Sequence, residues 1–347
     1  MIMNLPDKLY ACVGLETNVY FDNISDNWEQ YYWDVNGPVG IQLERGYRVV
    51  PTASDVGEHI IRFKASLDDN TFIFKSVSLE VSDIHSTSEN SISIIVLGDS
   101  TTANGTVIEY LHHNFINSSV TIKTLGTCGV YPNNHEGRSG WTLEEYFTID
   151  QETYSDDRGT VYNPFYNPAT KTFDASYYFT NSGVDKPDWF IINMGINDMF
   201  PYDSDSDASN AIQTFIDRLE TMAASIRKAS SDIKIAICLT IPPNASQDAF
   251  GKQYNLWITR NRYKRNNLLL VSALIESFGN RQDISLVPIH ASLDTVYNMG
   301  IETIPVNARN LEFTYNSPTA NGGVHPAESG YWQIADVYTA FLLAAEQ

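Results

Sequence analysis

Four short segments, far apart in the chain, contain the side chains and amides that nucleophilic catalysis needs. They are Gly98-Asp99-Ser100, Ser139-Gly140-Trp141-Thr142, Gly195-Ile196-Asn197-Asp198 and His325-Pro326. A serine hydroxyl is a weak nucleophile until a base takes its proton, and an imidazole often serves as that base. Amide N–H groups stabilise the oxyanion that forms when the hydroxyl attacks a carbonyl carbon. Together, the four segments predict a nucleophile, a base and oxyanion donors.

Position in the chain assigns a role to each residue. Ser100 comes directly after the apolar run 92–97, so we expect it on the turn that leaves a buried strand. His325 follows two glycines in a loop near the end of the chain, and such a loop could return the imidazole to that turn. Gly140 and Ser100 would donate backbone N–H groups to the oxyanion, and Asn197 its side-chain amide.

Each segment also has an ordinary structural explanation. A serine after a strand is more often a helix N-cap, and Gly-x-Asn-Asp is a common turn sequence. A lone histidine more often serves as a structural hydrogen-bonding residue, and His135, close to Gly140, is an alternative base. The prediction of a catalytic site therefore rests on the combination of segments rather than on any one of them.

Strand and helix patterns alternate from Ser91 onward. The apolar, β-rich runs are 92–97, 120–125, 189–194, 233–241 and 286–289. Between them, apolar residues of the stretch 212–226 recur every three or four positions, which predicts an amphipathic helix, and a last helix is expected over 328–343. This alternation predicts an α/β fold with a doubly wound, parallel, flavodoxin-like sheet, in which ligands bind outside the carboxyl ends of the strands.

Residues 1–86 have a different pattern. About seven short runs of alternating polarity, separated by turn sequences, predict an all-β sandwich of immunoglobulin-like type. The serine-rich stretch 82–90 is the expected linker. We therefore expect two domains, the sandwich over 1–86 and the α/β domain over 87–347.

Three further stretches leave alternatives open. The segment 150–187 has few helical signals and could be a lid, a binding wall or a surface excursion. Alternating carboxylates in Asp203-Ser204-Asp205-Ser206-Asp207 are similar to a calcium loop, but the required glycine and closing glutamate are missing, so no metal is expected. The basic cluster of Arg260, Arg262, Lys264 and Arg265 is interpreted as a solvated helix face rather than a binding patch.

Composition excludes several classes of function. A formal net charge of −20 disfavours nucleic acid, whose phosphates would be repelled. Membrane insertion is not expected, because no apolar run approaches the ~20 residues that span a bilayer. Three cysteines far apart in the chain favour free thiols over a disulfide framework or a zinc site. The first residues lack a signal-peptide pattern, but the chain could have been trimmed, so neither location nor oligomeric state is predicted.

The four segments together resemble the SGNH hydrolases, also called the GDSL esterase/lipase family, in residue type and order. The matching positions would be Ser100, Gly140, Asn197 and His325. The resemblance implies a serine esterase that needs no metal or organic cofactor. Because a β-sandwich before this domain is similar to the two-domain carbohydrate-active members, the expected partner is an acylated, especially acetylated, carbohydrate.

One position departs from the family pattern. The family has an aspartate three residues before the histidine, and this chain has Gly322 there. We therefore expect a Ser100–His325 dyad whose second imidazole nitrogen is held by a backbone carbonyl, by Asn321 or by water. Losing that carboxylate can lower turnover by up to ~10⁴-fold.

The identity of the substrate is a further expectation. Four aromatic residues are expected to contact it: Trp141, Tyr146, Phe165 and Tyr166. A thioesterase or lysophospholipase is an alternative enzyme. The alternative outside enzymes is a catalytically weak or inactive glycan-binding adhesion protein of phage-tail type, which the loss of the aspartate would favour.

Overall fold

The N-terminal part of the chain forms two β-sheets. The computed structural model describes residues 2–68, 71–85, 90–116, 118–150, 155–156, 159–160, 162–254, 258–319 and 321–346. In chain order the first elements are β1 (Lys8–Cys12), β2 (Thr17–Tyr20), α1 (Phe21–Ile24), β3 (Tyr32–Asn36), β4 (Ile41–Gln42), β5 (Gly46–Val49), β6 (Gly57–Ser66) and β7 (Phe72–Ser82). Strands β1, β7, β6 and β3 form one sheet, and β2, β5 and β4 form the other. The predicted β-rich region is therefore confirmed, and its immunoglobulin-like type stays a prediction.

Alternating side chains explain why this region folds as sheets. In β6, Ile61, Phe63 and Ala65 are buried, whereas the residues between them face outward more. Ile61 and Phe63 join Phe21 and Tyr47 in a hydrophobic core that also includes Ala291. A strand with one apolar face needs a second layer to cover it, and the second sheet supplies that layer.

Strands and helices alternate through the rest of the chain. They are β8 (Asn90–Gly98), α2 (Ser100–Ala103), α3 (Thr106–Asn114), β9 (Val120–Leu125), β10 (Glu136–Gly137), α4 (Glu145–Thr148), β11 (Ser155–Asp156), β12 (Gly159–Thr160), β13 (Tyr166–Asn167), β14 (Thr172–Phe173), α5 (Ala175–Asn181), β15 (Trp189–Asn193), α6 (Asp205–Ala229), β16 (Lys234–Cys238), α7 (Gln247–Gln253), α8 (Arg260–Phe278), β17 (Ile284–Val287), α9 (Ile289–Ser292), β18 (Ile301–Asn307), β19 (Asn310–Pro318) and α10 (Glu328–Ala344). Each of the five predicted apolar runs overlaps a strand of this region.

The central sheet is parallel and has the flavodoxin-like strand order. Its order is β9-β8-β15-β16-β17, and the short β10 pairs with the end of β8. All five residues of β15 are buried, as expected for a strand covered by helices on both faces. The predicted fold class is confirmed. The carboxyl end of β8 lies beside a neighbour on each side, and this is the edge where such folds bind ligands.

Helix α6 begins within the acidic stretch that is similar to a calcium loop. Ser204 caps the helix by accepting a hydrogen bond from the Asp207 N–H, and Asp205 pairs with Arg262 at 2.7 Å and Arg265 at 3.0 Å. The basic cluster is therefore only partly the solvated face that we expected, because its Lys264 is buried and burial lowers the pKa of that amine to about 8. The acidic stretch therefore forms the N-terminus of α6, and its Asp205 pairs with two arginines of the neighbouring helix α8.

The two parts of the chain are joined by buried hydrogen bonds. The Asn23 side-chain amide donates to the carbonyl groups of His290 at 2.8 Å and Leu293 at 2.7 Å. Ser292 Oγ donates to the Asn18 carbonyl group at 2.8 Å, and the Tyr10 ring meets the Phe341 ring edge to face. The expected linker, 82–90, falls partly on residues 86–89, which lie outside the described residues.

Two other segments complete the description. Part of the segment 150–187 lies outside the described residues. The rest includes the short strands β11 and β12, the β13–β14 hairpin and α5, and it packs into the core through Phe165 and Tyr178. The hairpin of β18 and β19 was not predicted from the sequence. Among the described helices, none is long and apolar enough to cross a membrane.

We expect Asn23→Ala to destabilise the whole chain. The substitution leaves the carbonyl groups of His290 and Leu293 buried without their donor, which costs about 2 kcal/mol. Equilibrium urea unfolding monitored by tryptophan fluorescence measures the loss. Asn210→Ala, on the exposed face of α6, is the matched control and should show none. An unchanged unfolding midpoint for Asn23→Ala would contradict a structural role for this contact.

Candidate active site

Ser100 is the first residue of α2, immediately beyond the end of β8. Asp99 caps the helix, with its Oδ1 accepting hydrogen bonds from the Thr101 N–H at 2.9 Å and the Thr101 hydroxyl at 2.8 Å. Burial raises the pKa of Asp99 to about 6, and the two hydrogen bonds from Thr101 oppose that shift. Asp99 therefore shapes the turn that presents Ser100 rather than approaching the imidazole.

His325 reaches Ser100 from the loop between β19 and α10. Its Nε2 lies 2.8 Å from Ser100 Oγ, and its Nδ1 lies 3.1 Å from the main-chain carbonyl oxygen of Asn321. A neutral imidazole that donates from Nδ1 presents Nε2 as an acceptor toward the hydroxyl. Burial lowers the pKa of His325, although the Asn321 carbonyl group acts in the opposite direction. The imidazole is therefore oriented by a backbone carbonyl group instead of a carboxylate.

Gly322 has no room for a side chain. A Cβ atom there would lie 2.8 Å from the Gly300 carbonyl oxygen and 3.2 Å from Thr319 Oγ1, both at the base of the β18–β19 hairpin. The first distance is too short for a real carbon–oxygen contact, so the backbone would have to move. An aspartate at this position would therefore require the base of the β18–β19 hairpin to move.

Asn244 fixes the histidine loop and was not found in the sequence analysis. Its side-chain amide donates to the Gly322 carbonyl group at 3.0 Å, and its backbone N–H donates to the Gly323 carbonyl group at 2.9 Å. Its Oδ1 accepts from the Ser246 N–H at 2.8 Å, so both the nitrogen and the oxygen of the buried side-chain amide are hydrogen-bonded. Its only sequence signal is its place in a Pro-Pro-Asn stretch shortly after a strand.

A buried ion pair supports the turn that carries Gly140. Arg138 and Glu136 lie 2.8 Å apart with almost no exposed side-chain surface, and the Tyr178 hydroxyl donates to Glu136 at 2.7 Å. The Arg138 N–H donates to the Gly98 carbonyl group at 2.8 Å, which ties the turn to the end of β8. Two residues further on, Gly140 has a φ of +78°, a left-handed conformation that favours glycine.

Asn197 lies on the next turn of the same edge. Its Nδ2 donates one hydrogen to the Trp141 carbonyl group at 2.8 Å, which leaves a second amide hydrogen. The neighbouring Asp198 accepts from the Leu143 N–H at 2.9 Å, so the turns of Gly140 and Asn197 are bonded to each other. Burial raises the pKa of Asp198 to about 7. Like Asp99, Asp198 has a structural role that its hydrogen bonds explain.

Three of the four aromatic residues expected to contact the substrate are in the core, which corrects that prediction. Trp141, Tyr146 and Phe165 have no exposed surface, whereas Tyr166 is partly exposed. The Tyr146 hydroxyl lies 2.8 Å from the Gly98 carbonyl oxygen, and the Phe165 ring stacks on the Tyr178 ring. A sequence that places aromatics near a candidate site does not show which way they face.

The geometry brings together a hydroxyl, an imidazole and two turns that hold amide donors. It is His325 rather than His135 whose imidazole lies beside Ser100. Within the described part of the chain, no group of three or more histidine, cysteine, aspartate or glutamate residues is arranged to hold a metal ion. The arrangement suits attack by an activated serine on a carbonyl carbon.

Comparison with known proteins identifies the family. The model of the GDSL-like lipase/acylhydrolase family matches residues 94–337, which is more than half of the chain. The chain therefore belongs to that family, and it is a carboxylic ester hydrolase. A comparison with curated proteins found no match.

Several solved structures are similar in part. A carbohydrate acetylesterase from Sinorhizobium meliloti is 12% identical, with 73% of this chain and 99% of that chain covered and a TM-score of 0.39. A GDSL-like lipase from Bacteroides thetaiotaomicron is 15% identical, with 73% and 88% covered and a TM-score of 0.36. A lipase from a goat rumen metagenome is 12% identical, with 72% and 96% covered and a TM-score of 0.37.

Truncation of Asn321, which lies within the histidine loop, and of Asn244, which anchors that loop, should affect kcat differently. Asn321→Ala keeps the main-chain carbonyl group that holds Nδ1, so we expect kcat within about twofold of the unsubstituted enzyme. Asn244→Ala removes the donor to Gly322 and loosens the loop, so kcat should fall by about tenfold or more. Hydrolysis of 4-nitrophenyl acetate measures both rates. A larger loss in Asn321→Ala than in Asn244→Ala would refute this account of how the imidazole is held.

Proposed function

We propose that this chain is a serine esterase that removes short acyl groups, chiefly acetyl, from a carbohydrate, with Ser100 as nucleophile and His325 as base. The observation that carries the proposal is the 2.8 Å contact between Ser100 Oγ and His325 Nε2. The opposite ring nitrogen faces a carbonyl oxygen, so the neutral ring carries its proton there and presents an acceptor nitrogen to the hydroxyl.

The reaction follows from these contacts in two halves. Ser100 Oγ attacks the acyl carbon while its proton moves to His325 Nε2. The imidazolium then protonates the leaving alcohol, and an acyl-enzyme remains on Ser100. In the second half, His325 takes a proton from water while the water oxygen attacks the acyl carbon. The imidazolium then gives that proton to Ser100 Oγ as the acid leaves, which restores both side chains.

Three amides are proposed to hold the negative oxygen of each tetrahedral intermediate. They are the N–H groups of Ser100 and Gly140 and the second Nδ2 hydrogen of Asn197. The Gly140 N–H has no hydrogen-bond partner within the described residues, and the residue is exposed. Amide donors that the fold holds in place need little reorganisation when the charge develops.

The contact between His325 Nδ1 and the Asn321 carbonyl group supports a Ser100–His325 dyad rather than an inactive binding protein. The Asn321 carbonyl group fixes the ring and its tautomer, which is one part of what a triad aspartate does. It lacks a full negative charge, so it stabilises the imidazolium less. We propose a working enzyme with lower turnover, and the glycan-binding alternative is decided by the assay below.

A short acyl group is favoured by what surrounds Asn197. The adjoining cavity, of about 300 Å³, is bordered by apolar residues such as Phe215 and also by polar groups, among them Thr142, Asp198 and Arg218. A long acyl chain would place methylene groups against these polar atoms and leave them without water, which is unfavourable. An acetyl group needs no apolar channel. Carbohydrate as the alcohol part is supported by the polar side chains that line a second cavity, His135 among them.

We expect Ser100→Ala and His325→Ala each to abolish hydrolysis of 4-nitrophenyl acetate. The first removes the nucleophile and the second its base, so kcat should fall by about 10³-fold or more. Ser209→Ala, an exposed serine on α6, is the matched control and should keep full activity. Equal rates for Ser100→Ala and the unsubstituted enzyme would end the catalytic assignment. Acetate release from acetylated xylan then tests the carbohydrate part.

The pH dependence of kcat/KM should report the state of His325. The imidazole must be neutral to take the serine proton, so activity falls as pH drops through its pKa. Burial lowers that pKa from the ordinary value of 6.5, so the acidic limb should have its midpoint below pH 6.5, with a constant rate above it. A pH profile measured with 4-nitrophenyl acetate provides the midpoint. A midpoint clearly above 6.5 would contradict this environment for the base.

A further inference from the structure

A second cavity adjoins the candidate active site. It has a volume of about 410 Å³ and is bordered by Ala103, at the end of the helix that begins with Ser100, and by Ser139, the neighbour of Gly140. This volume lies in the range of sites that bind small ligands. The loop between β9 and β10 forms its opposite wall through Cys128, Val130 and Asn133.

His135 presents a hydrogen-bond donor to this cavity. Only 4% of its surface is exposed, and its Nδ1 accepts a hydrogen bond from the Gly137 N–H at 3.1 Å. The neutral ring therefore carries its proton on Nε2. The Nε2 atom is directed toward Gly105, another residue of the cavity wall, and has no hydrogen-bond partner within the described residues. Burial lowers the pKa of His135 to about 4, which keeps the ring neutral near pH 7.

The charges in the wall indicate a neutral ligand. Arg138 is the cation of the lining, but it is buried and paired with Glu136. Glu109, on α3, is an exposed carboxylate with no ion-pair partner in the described part of the chain. An anionic ligand would meet this carboxylate without an available cation to offset it. A ligand rich in hydroxyl groups can instead donate to Glu109 and accept from His135.

The tip of the β9–β10 loop adds apolar surface at the rim. Val130 and its neighbour Tyr131 are 81% and 82% exposed, although both are side chains that normally lose exposure on folding. Tyrosine combines an apolar ring face with a polar hydroxyl group, which suits a ligand that has C–H faces and hydroxyl edges. The rim therefore matches the same kind of ligand as the wall.

We propose that this cavity is the subsite for a neutral pyranose unit of the alcohol part of the substrate, with the His135 Nε2–H donating to one sugar hydroxyl and Glu109 accepting from another. The inference rests on the proposed esterase function and extends it from the reacting ester to the sugar that carries it. His135, which the sequence offered only as an alternative base, becomes a specificity-determining residue.

The first test compares a sugar ester with an ester that has no sugar. We expect the ratio of kcat/KM for acetylated xylo-oligosaccharides to that for 4-nitrophenyl acetate to fall about tenfold in His135→Phe, which loses a donor to the sugar. The ratio should fall by a smaller factor in Glu109→Gln, whose amide oxygen is a weaker acceptor than the carboxylate. His135→Gln, which keeps an N–H donor, should restore part of the ratio. Glu276→Gln, an exposed carboxylate on α8, is the matched control and should leave the ratio unchanged.

Two kinetic results would overturn the subsite. One is an equal loss on both substrates in Glu109→Gln and His135→Phe, which indicates a structural effect only. The other is cleavage of 4-nitrophenyl acetate by the unsubstituted enzyme without measurable cleavage of the sugar esters. If the unsubstituted enzyme cleaves neither ester, the proposed function fails, and the subsite is then judged by binding alone.

Binding can be measured without catalysis, because a cysteine lines the cavity. Cys128 is partly exposed, whereas Cys12 and Cys238 are buried. In Ser100→Ala, xylotetraose should slow the alkylation of Cys128 by iodoacetamide at least threefold, as measured by mass spectrometry of the labelled peptide. The additional substitution His135→Phe should reduce this protection. An alkylation rate that does not change at any xylotetraose concentration would overturn the proposal, whatever the esterase assays show.

Discussion

Gly98, at the end of β8, is paired on both sides, and the geometry of the active edge depends on this pairing. It lies opposite Asn193 of β15 and Gly137 of β10. Its carbonyl oxygen is 2.8 Å from the Arg138 N–H and 2.8 Å from the Tyr146 hydroxyl. Ser100 follows two residues later, so the same pairing fixes where the hydroxyl emerges and where the turns of Gly140 and Asn197 begin. A parallel sheet places these residues at one edge because its strands run in one direction.

The histidine is held by main-chain groups, and this explains how the chain dispenses with the carboxylate. The β18–β19 hairpin places the Gly300 carbonyl oxygen where a side chain at position 322 would lie. The loop is instead anchored by Asn244, and its own Asn321 carbonyl group orients the imidazole. Orientation is therefore kept, while the charge that would stabilise the imidazolium is not. A lowered pKa for a buried imidazole is consistent with this arrangement, because desolvation is the largest cause of the shift and the Asn321 carbonyl group opposes it only in part.

Periodicity and strand ends allowed much of the fold to be predicted from the sequence. The apolar face of α6 and the strand before Ser100 follow local patterns, which depend on few residues. By contrast, local patterns do not determine whether a side chain faces the core or solvent, because that depends on residues far along the chain. Trp141, Tyr146 and Phe165 could equally have faced solvent, and their burial depends on tertiary contacts such as the stacking of Phe165 on Tyr178 of α5. Asn244 escaped notice for the same reason, since its partner Gly322 is 78 residues away.

The N-terminal sheets have a structural part in this site, although they are remote in sequence from every residue proposed to react. Asn23 and Asn18 bond the segment from His290 to Leu293, and Arg45 pairs with Asp294 at 3.4 Å. Asp294 in turn accepts the N–H groups of the next turn, and that segment continues to Met299, which bridges to Pro326 beside the histidine. A loop at the protein surface would otherwise be free to move. The β-rich region therefore braces the loop that carries His325, a role that requires no contact between these sheets and the substrate.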